Sequence, residues 1–211
     1  AISSISWDDP NFPNIEGFGV WAAKCNFTMG PDGKMYSRML GGNLVRIDVE
    51  NARGENLTNG DLVGTKDGSA YGLVFDPQDE NVFYFSNNDK HCIYKYDLRT
   101  KECACWAGQE GKSGYLDGPI GQAMFNKPGQ MCVDSEGNII LTDTENHCIR
   151  KITMSTGYVS TLAGKPQNSG YVNGSAEDAQ FKKPLGICID NDDVMYIGDS
   201  ENRAIRRLAV E

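Results

Sequence analysis

Residues 114–152 recur at 170–208 without a gap, and fourteen of the 39 aligned pairs are identical. They include Gly114/Gly170, Tyr115/Tyr171, Phe125/Phe181, Lys127/Lys183, Asp143/Asp199, Asn146/Asn202 and Arg150/Arg206. An echo at one fixed spacing of 56 residues constrains a chain more than any local propensity does. Each copy must be a unit that buries its apolar side against the next copy. Shorter matches at the same spacing carry the pattern back: His91–Lys95 onto His147–Lys151, and Glu102–Gly108 onto Tyr158–Gly164. A more divergent first copy runs through Phe27–Met29, the turn Gly30-Pro31-Asp32-Gly33, then Lys34–Tyr36 and Leu44–Ile47.

Within one unit, β-rich segments near 130–134, 139–142, 148–152 and 158–162 are separated by Gly, Asn, Asp and Ser. The turn Ser135-Glu136-Gly137-Asn138 supplies the residue types of a tight hairpin. Four short antiparallel strands per unit, with a longer Gly-rich link to the next, describe a β-propeller blade. Helical periodicity is absent, and a parallel β-helix needs shorter coils. The fold class is therefore all-β, a propeller with about four blades of four antiparallel strands, in units of roughly 17–60, 61–110, 111–166 and 167–211. The fourth unit stops after Leu208 without its last strand, and residues 1–7 are a candidate strand to fill that gap.

Twenty basic against 29 acidic side chains leave a net charge of −9. That balance is opposite to the basic footprint used on a phosphate backbone or an anionic bilayer, so neither nucleic acid nor a membrane surface is expected as partner. No apolar run reaches the length of a membrane helix, and the first residues lack the pattern of a signal peptide.

The segment D-x-x-N-H-C-I-R-K-I at 143–152, preceded by A-x-F-x-x-P at 123–128 and followed by V-S-T-L-A-G at 159–164, resembles the NHL-repeat family of β-propellers. The resemblance spans roughly residues 70–208. The links G-Y-L-D-G and G-Y-V-N-G are similar to those of NHL propellers in bacterial surface proteins that carry an IPT/TIG domain. It implies an extracytoplasmic or cell-surface location and a tie to glycan uptake. Such propellers usually have six blades, so three arrangements remain open: part of a six-bladed ring, a four-bladed ring, or half of an assembly.

Candidate ligand-binding residues lie on the links and on the turns between second and third strands, which share one face of a propeller. They are Tyr115, Asp117 and Tyr171 on the links, and Asp143, Asn146, His147, Asp199 and Asn202 at the turns. Carboxylates and amides there can meet a polar ligand, and tyrosine rings can stack on a sugar; the competing role is capping of their own turns and packing between blades. His91 and His147, the only histidines, occupy one repeat position, which favours a recurring hydrogen bond over a metal site that needs three or four ligands. No metal or cofactor is assigned.

Seven cysteines leave at least one unpaired within the chain. Repeat mates such as Cys132/Cys188 and Cys92/Cys148 are about a blade apart, beyond the roughly 4.4 to 6.8 Å between the Cα atoms of a disulfide, and read as small buried hydrophobes. Cys103 and Cys105 are expected on opposite faces of one strand. Scans for a phosphate loop at 107–113, a nucleophile elbow at 68–72 and a calcium loop at 190–193 each fail on a required residue. The leading expectation is a non-catalytic module binding a carbohydrate, peptide or protein. The alternative is a metal-dependent lyase or hydrolase working at the central channel.

Overall fold

A computed structural model describes residues 27–38, 43–51, 53–58 and 71–209. The candidate strand at residues 1–7 lies outside them, as do Trp7 and Trp21. Blade one comprises β1 (Thr28–Met29), β2 (Met35–Arg38), β3 (Leu44–Asp48) and β4 (Arg53–Asn56). Blade two comprises β5 (Leu73–Phe75), β6 (Val82–Asn87), β7 (Cys92–Asp97) and β8 (Cys103–Gly108). After the link strand β9 (Gly118–Pro119), blade three comprises β10 (Pro128–Val133), β11 (Ile139–Asp143), β12 (Cys148–Thr153) and β13 (Tyr158–Ala163). Blade four comprises β14 (Pro184–Ile189), β15 (Met195–Asp199) and β16 (Ala204–Leu208). Each blade is an antiparallel meander in chain order, and β9 adds to the outer edge of blade three by pairing with β13.

In blades two and three the second strand is buried on both faces, which explains the unbroken apolar run Ile139-Ile140-Leu141 where a half-buried strand alternates, as the second strand of blade four does. Ile139 and Leu141 pack with Val74, Val82, Tyr84 and Ile93 of blade two. Ile140 faces the other way, onto Ile187, Met195 and Ile197 of blade four. A third cluster joins Tyr36 and Leu44 of blade one to Phe83, Phe85, Tyr94 and Tyr96 of blade two. Each large side chain buried this way stabilises the array by about 1.5–3 kcal/mol, so neighbouring blades hold one another rather than a separate core.

Turn chemistry follows the repeat. Asp134 accepts the backbone N–H of Asn138 at 2.7 Å, and Asp190 accepts that of Val194 at 2.9 Å. Gly137 supplies a φ of 80° in the first of these turns. The inner strand of blade four packs closely on blade three: the hydroxyls of Thr142 on β11 and Thr144 in the turn after it donate to the carbonyls of Leu185 and Pro184 at 2.9 and 2.8 Å. Gln130 Oε1 accepts the Ile187 N–H at 3.1 Å.

Blade one has the fourth strand, β4, that a four-stranded template calls for. One detail differs from the sequence expectation. Cys103 and Cys105 lie on the same face, both packed against the cluster between blades one and two, while Ala104 between them is exposed. Period-two alternation requires this, because residues two apart along a strand point the same way.

Candidate functional site

Antiparallel meandering brings the turn between second and third strands beside the incoming link of the same blade. In blade three, Asp143 ends β11, residues Thr144–Asn146 form a single 3₁₀ turn, and His147 follows in the left-handed region at φ 58°. Blade four repeats this with Asp199, Ser200–Asn202 and Arg203 at φ 53°.

The centre of the arrangement is Arg150, wholly buried. Its Nη1 donates to Asp143 Oδ2 at 2.7 Å and to the Met124 carbonyl at 3.1 Å. Its Nη2 donates to the Leu116 carbonyl at 2.9 Å and to Asp117 Oδ1 at 2.6 Å. The rings of Tyr115 and Phe125 sandwich the guanidinium at 4.9 and 5.1 Å. Asp143 accepts the remaining donors, the Asn126 N–H at 2.7 Å and Asn146 Nδ2 at 2.8 Å, and Asn146 also donates to the Gly114 carbonyl at 2.8 Å. Arg206 stands in the same cage one blade on: Asp199 at 2.9 Å, the Gln180 and Val172 carbonyls at 2.9 and 2.6 Å, and the Tyr171 and Phe181 rings at 5.0 and 4.9 Å.

The identical pairs Gly114/Gly170, Tyr115/Tyr171, Phe125/Phe181, Asp143/Asp199 and Asn146/Asn202, with Arg150/Arg206, thus serve one buried Asp–Asn–Arg clamp that ties a link to its own blade. Gly114 and Gly170 fit the scheme, because a Cβ there would stand 2.6 Å from Met124 Cε or 2.0 Å from Gln180 Oε1. Burial pushes the Asp143 carboxyl up to about 6, against the pull of Arg150, Asn146 and the Asn126 N–H. Burial alone would lower Arg150, and the carboxylates of Asp143 and Asp117 outweigh it and hold the guanidinium above its ordinary value. Asp117 also accepts the Thr161 N–H at 3.1 Å, and Tyr115 shares a 2.7 Å hydrogen bond between its hydroxyl and Thr161 Oγ1.

Seven of the eight candidate residues therefore fall into two copies of one cluster. Tyr115, Asp117, Asp143 and Asn146 surround Arg150; Tyr171, Asp199 and Asn202 surround Arg206. His147 stands apart from both, its Nδ1 accepting the Lys183 N–H of the next link at 3.2 Å, as His91 accepts that of Lys127 at 3.1 Å. The histidines are interblade acceptors, the recurring hydrogen bond that their shared position suggested. Sequence reasoning passed over the two arginines, although Arg150/Arg206 stood among the identical pairs and a buried carboxylate demands a cation.

What stays open to solvent on this face is different chemistry. Tyr171 is 61 % exposed over Arg206, and Leu116 and Val172 are exposed on the links. Beside them Lys183 Nζ bridges Glu201 at 3.0 Å and Glu145 at 3.4 Å across blades three and four. Among the described residues, no three His, Cys, Asp or Glu side chains converge as metal ligands. An open groove of about 520 Å³ lies at the opposite end of blades one and two, lined by Met29, Pro31, Phe75, Asp76 and Gln78. None of the eight candidate residues reaches it.

Comparison with known proteins agrees with this architecture. The NHL repeat family model matches residues 125–152, the segment holding Asp143, Asn146 and Arg150. The chain is 28% identical over 173 residues to Protein SUPPRESSOR OF QUENCHING 1 of Arabidopsis thaliana, covering 78% of this chain and 16% of that protein. It is 30% identical over 152 residues to NHL repeat-containing protein 2 of Gallus gallus, covering 71% of this chain and 19% of that protein. A solved protein of unknown function from Bacteroides thetaiotaomicron superposes with a TM-score of 0.80 at 28% identity, over 88% of this chain and 46% of that one. An auxiliary nutrient binding protein of the same organism gives 0.72 at 28% identity, over 86% and 46%. The chain spans less than a fifth of those two curated relatives and just under half of those solved structures. With four blades, the clamp at its matched segment and these likenesses together, the chain is a β-propeller that carries the NHL repeat.

Proposed function

We propose that this chain is a non-catalytic ligand-binding propeller whose recognition face is the one built by the links and the second-to-third-strand turns, and whose ligand is a glycan met outside the cytoplasm at a bacterial surface. The observation that carries the reading is the division of labour on that face. Its buried polar groups are consumed by the clamps, while the ring of an exposed tyrosine, Tyr171, has the Arg206 guanidinium 5.0 Å from its centroid, with Leu116, Val172 and a Lys–Glu ladder on the same face. A planar ring braced from behind offers a sugar's C–H face a rigid platform, and polar groups beside it can take the hydroxyls. Loops on a rigid scaffold are where such recognition resides. The likeness to an auxiliary nutrient binding protein supports a binding role of this kind.

A panel of oligosaccharides titrated calorimetrically into the purified chain tests the proposal. Saturable binding to one class, lost in Tyr171→Ala with the unfolding stability lowered by no more than the ~0.5–1 kcal/mol of one exposed cation–π contact, and retained in Met29→Ala at the distant groove, is the expected result. Binding that survives Tyr171→Ala but fails in Met29→Ala would move recognition to the groove, and conversion of a sugar to product would replace binding by catalysis.

A further inference from the structure

Blade two carries a pair of thiols where blade three carries a thiol and a hydroxyl. At the 56-residue spacing Cys92 corresponds to Cys148, and Cys105 to Thr161. Strands β7 and β8 pair Cys92 with Gly108 and Tyr94 with Cys105, and a register shift between Ile93 and Tyr94 leaves Trp106 as the extra residue. The bulge swings Cys105 along its strand: its Sγ lies 3.7 Å from the carbonyl of Gly108, the residue directly opposite Cys92. Cys92 and Cys105 face the same side of the sheet, in the one cluster between blades one and two, close enough for their thiols to interact. Cys92 is fully buried and Cys105 is partly open to solvent, so one sulfur is reachable and the other waits beneath it.

We infer that Cys92 and Cys105 form a reversible disulfide, with Cys105 as the attacking thiol, Cys92 as the resolving one, and a small-molecule disulfide such as oxidised glutathione as the electron acceptor. In the first step Cys105 Sγ, as thiolate, attacks one sulfur of the glutathione disulfide. The sulfur–sulfur bond breaks and one glutathione thiolate leaves, taking a proton from solvent. In the second, Cys92 gives up its proton and attacks Cys105 Sγ, expelling the second glutathione. Two cysteines are oxidised and one disulfide is reduced to two thiols. The roles match the electrostatics: the interaction with the Cys92 thiol lowers the pKa of Cys105, whereas that same interaction and burial raise Cys92. Cys103, on the same face but without the bulge that carries Cys105 toward Cys92, is the internal control.

The test is a peptide map of the whole chain, equilibrated in graded mixtures of oxidised and reduced glutathione and then alkylated. The expected product is a loss of two hydrogens from the protein and a cross-link between the tryptic peptides 91–95 and 102–112, present in Cys103→Ser and absent in Cys105→Thr. The threonine variant restores the residue that blade three uses at this place and so retains the fold. Cys92→Ala should stop at the first step, with one glutathione held on Cys105. A cross-link that disappears in Cys103→Ser, or oxidation confined to the exposed Cys188 with the 91–95 peptide fully alkylated, would overturn the inference.

Discussion

Replacing Arg150 with methionine keeps the bulk that Tyr115 and Phe125 pack against and removes the charge. The carboxylate of Asp143 then stays fully buried with two neutral donors, and the carbonyls of Met124 and Leu116 lose theirs. Breaking one side of a buried ion pair costs about 3–5 kcal/mol, most of it the penalty of the stranded charge. In a domain of roughly 150–250 residues that corresponds to a fall in Tm of about 6–20 °C. Arg206→Met should cost less, because its clamp is 8 % open on the Arg206 side chain and lacks a second carboxylate in the position of Asp117. Urea unfolding followed by tryptophan fluorescence reads both values. The double variant Arg150→Met/Asp143→Leu removes the stranded charge with its partner, so it should be more stable than Arg150→Met alone. An Arg150→Met cost under about 1 kcal/mol, below the range for a broken buried pair, or strictly additive effects in the double variant, would refute the clamp.

Three further outcomes are expected. The identical residues Ile149 and Ile205 are 0 % and 75 % exposed, so Ile149→Ala should cost about 2–5 kcal/mol and Ile205→Ala under about 0.5 kcal/mol, measured by the same unfolding titration. Gly129→Ala would place a Cβ 2.4 Å from Thr142 Oγ1 and 2.9 Å from the Leu185 carbonyl, forcing the inner strands of blades three and four apart at a cost of about 1–3 kcal/mol; an unchanged midpoint would show that these strands yield freely. Burial holds the Asp143 carboxyl up at about 6, above the ordinary 3.8 of an exposed aspartate. The folded state therefore binds this proton more tightly than the unfolded chain, and the resulting stability is present at low pH and lost as pH rises through about 6. Between pH 7 and 5 wild type should gain about 1 kcal/mol relative to Asp143→Asn, and a difference that stays flat or falls would reverse the assignment.

The blades were legible because identical residues sat at one spacing, and strand limits around Ile139–Asp143 and Cys148–Thr153 came out within a residue or so. The clamps were legible only in part. Asp143 and Asn146 advertise themselves as turn residues, but Arg150 finds its acceptors on the backbone of residues 26 and 34 positions earlier, and a carbonyl leaves no signature in a sequence. Nor does identity report surroundings. Tyr115 and Tyr171 are the same residue in the same cage, yet Tyr115 is covered by β13, through Thr161, and Tyr171 faces solvent beside the three-stranded sheet of blade four. The faces of Cys103 and Cys105 follow from strand parity, which alone sufficed to place them together.

The central claim is that residues shared between repeats hold the blades while residues that differ in identity or exposure do the recognising. An alanine scan of the link-and-turn face, reading unfolding midpoint and oligosaccharide affinity on the same samples, tests it most directly. Variants at Asp143, Asn146, Arg150 and their blade-four mates should lower the midpoint strongly, whereas those at Tyr171, Leu116 and Val172 should weaken binding with little change in midpoint. Asp143 or Asn146 variants that unfold like wild type and yet abolish binding would contradict the account.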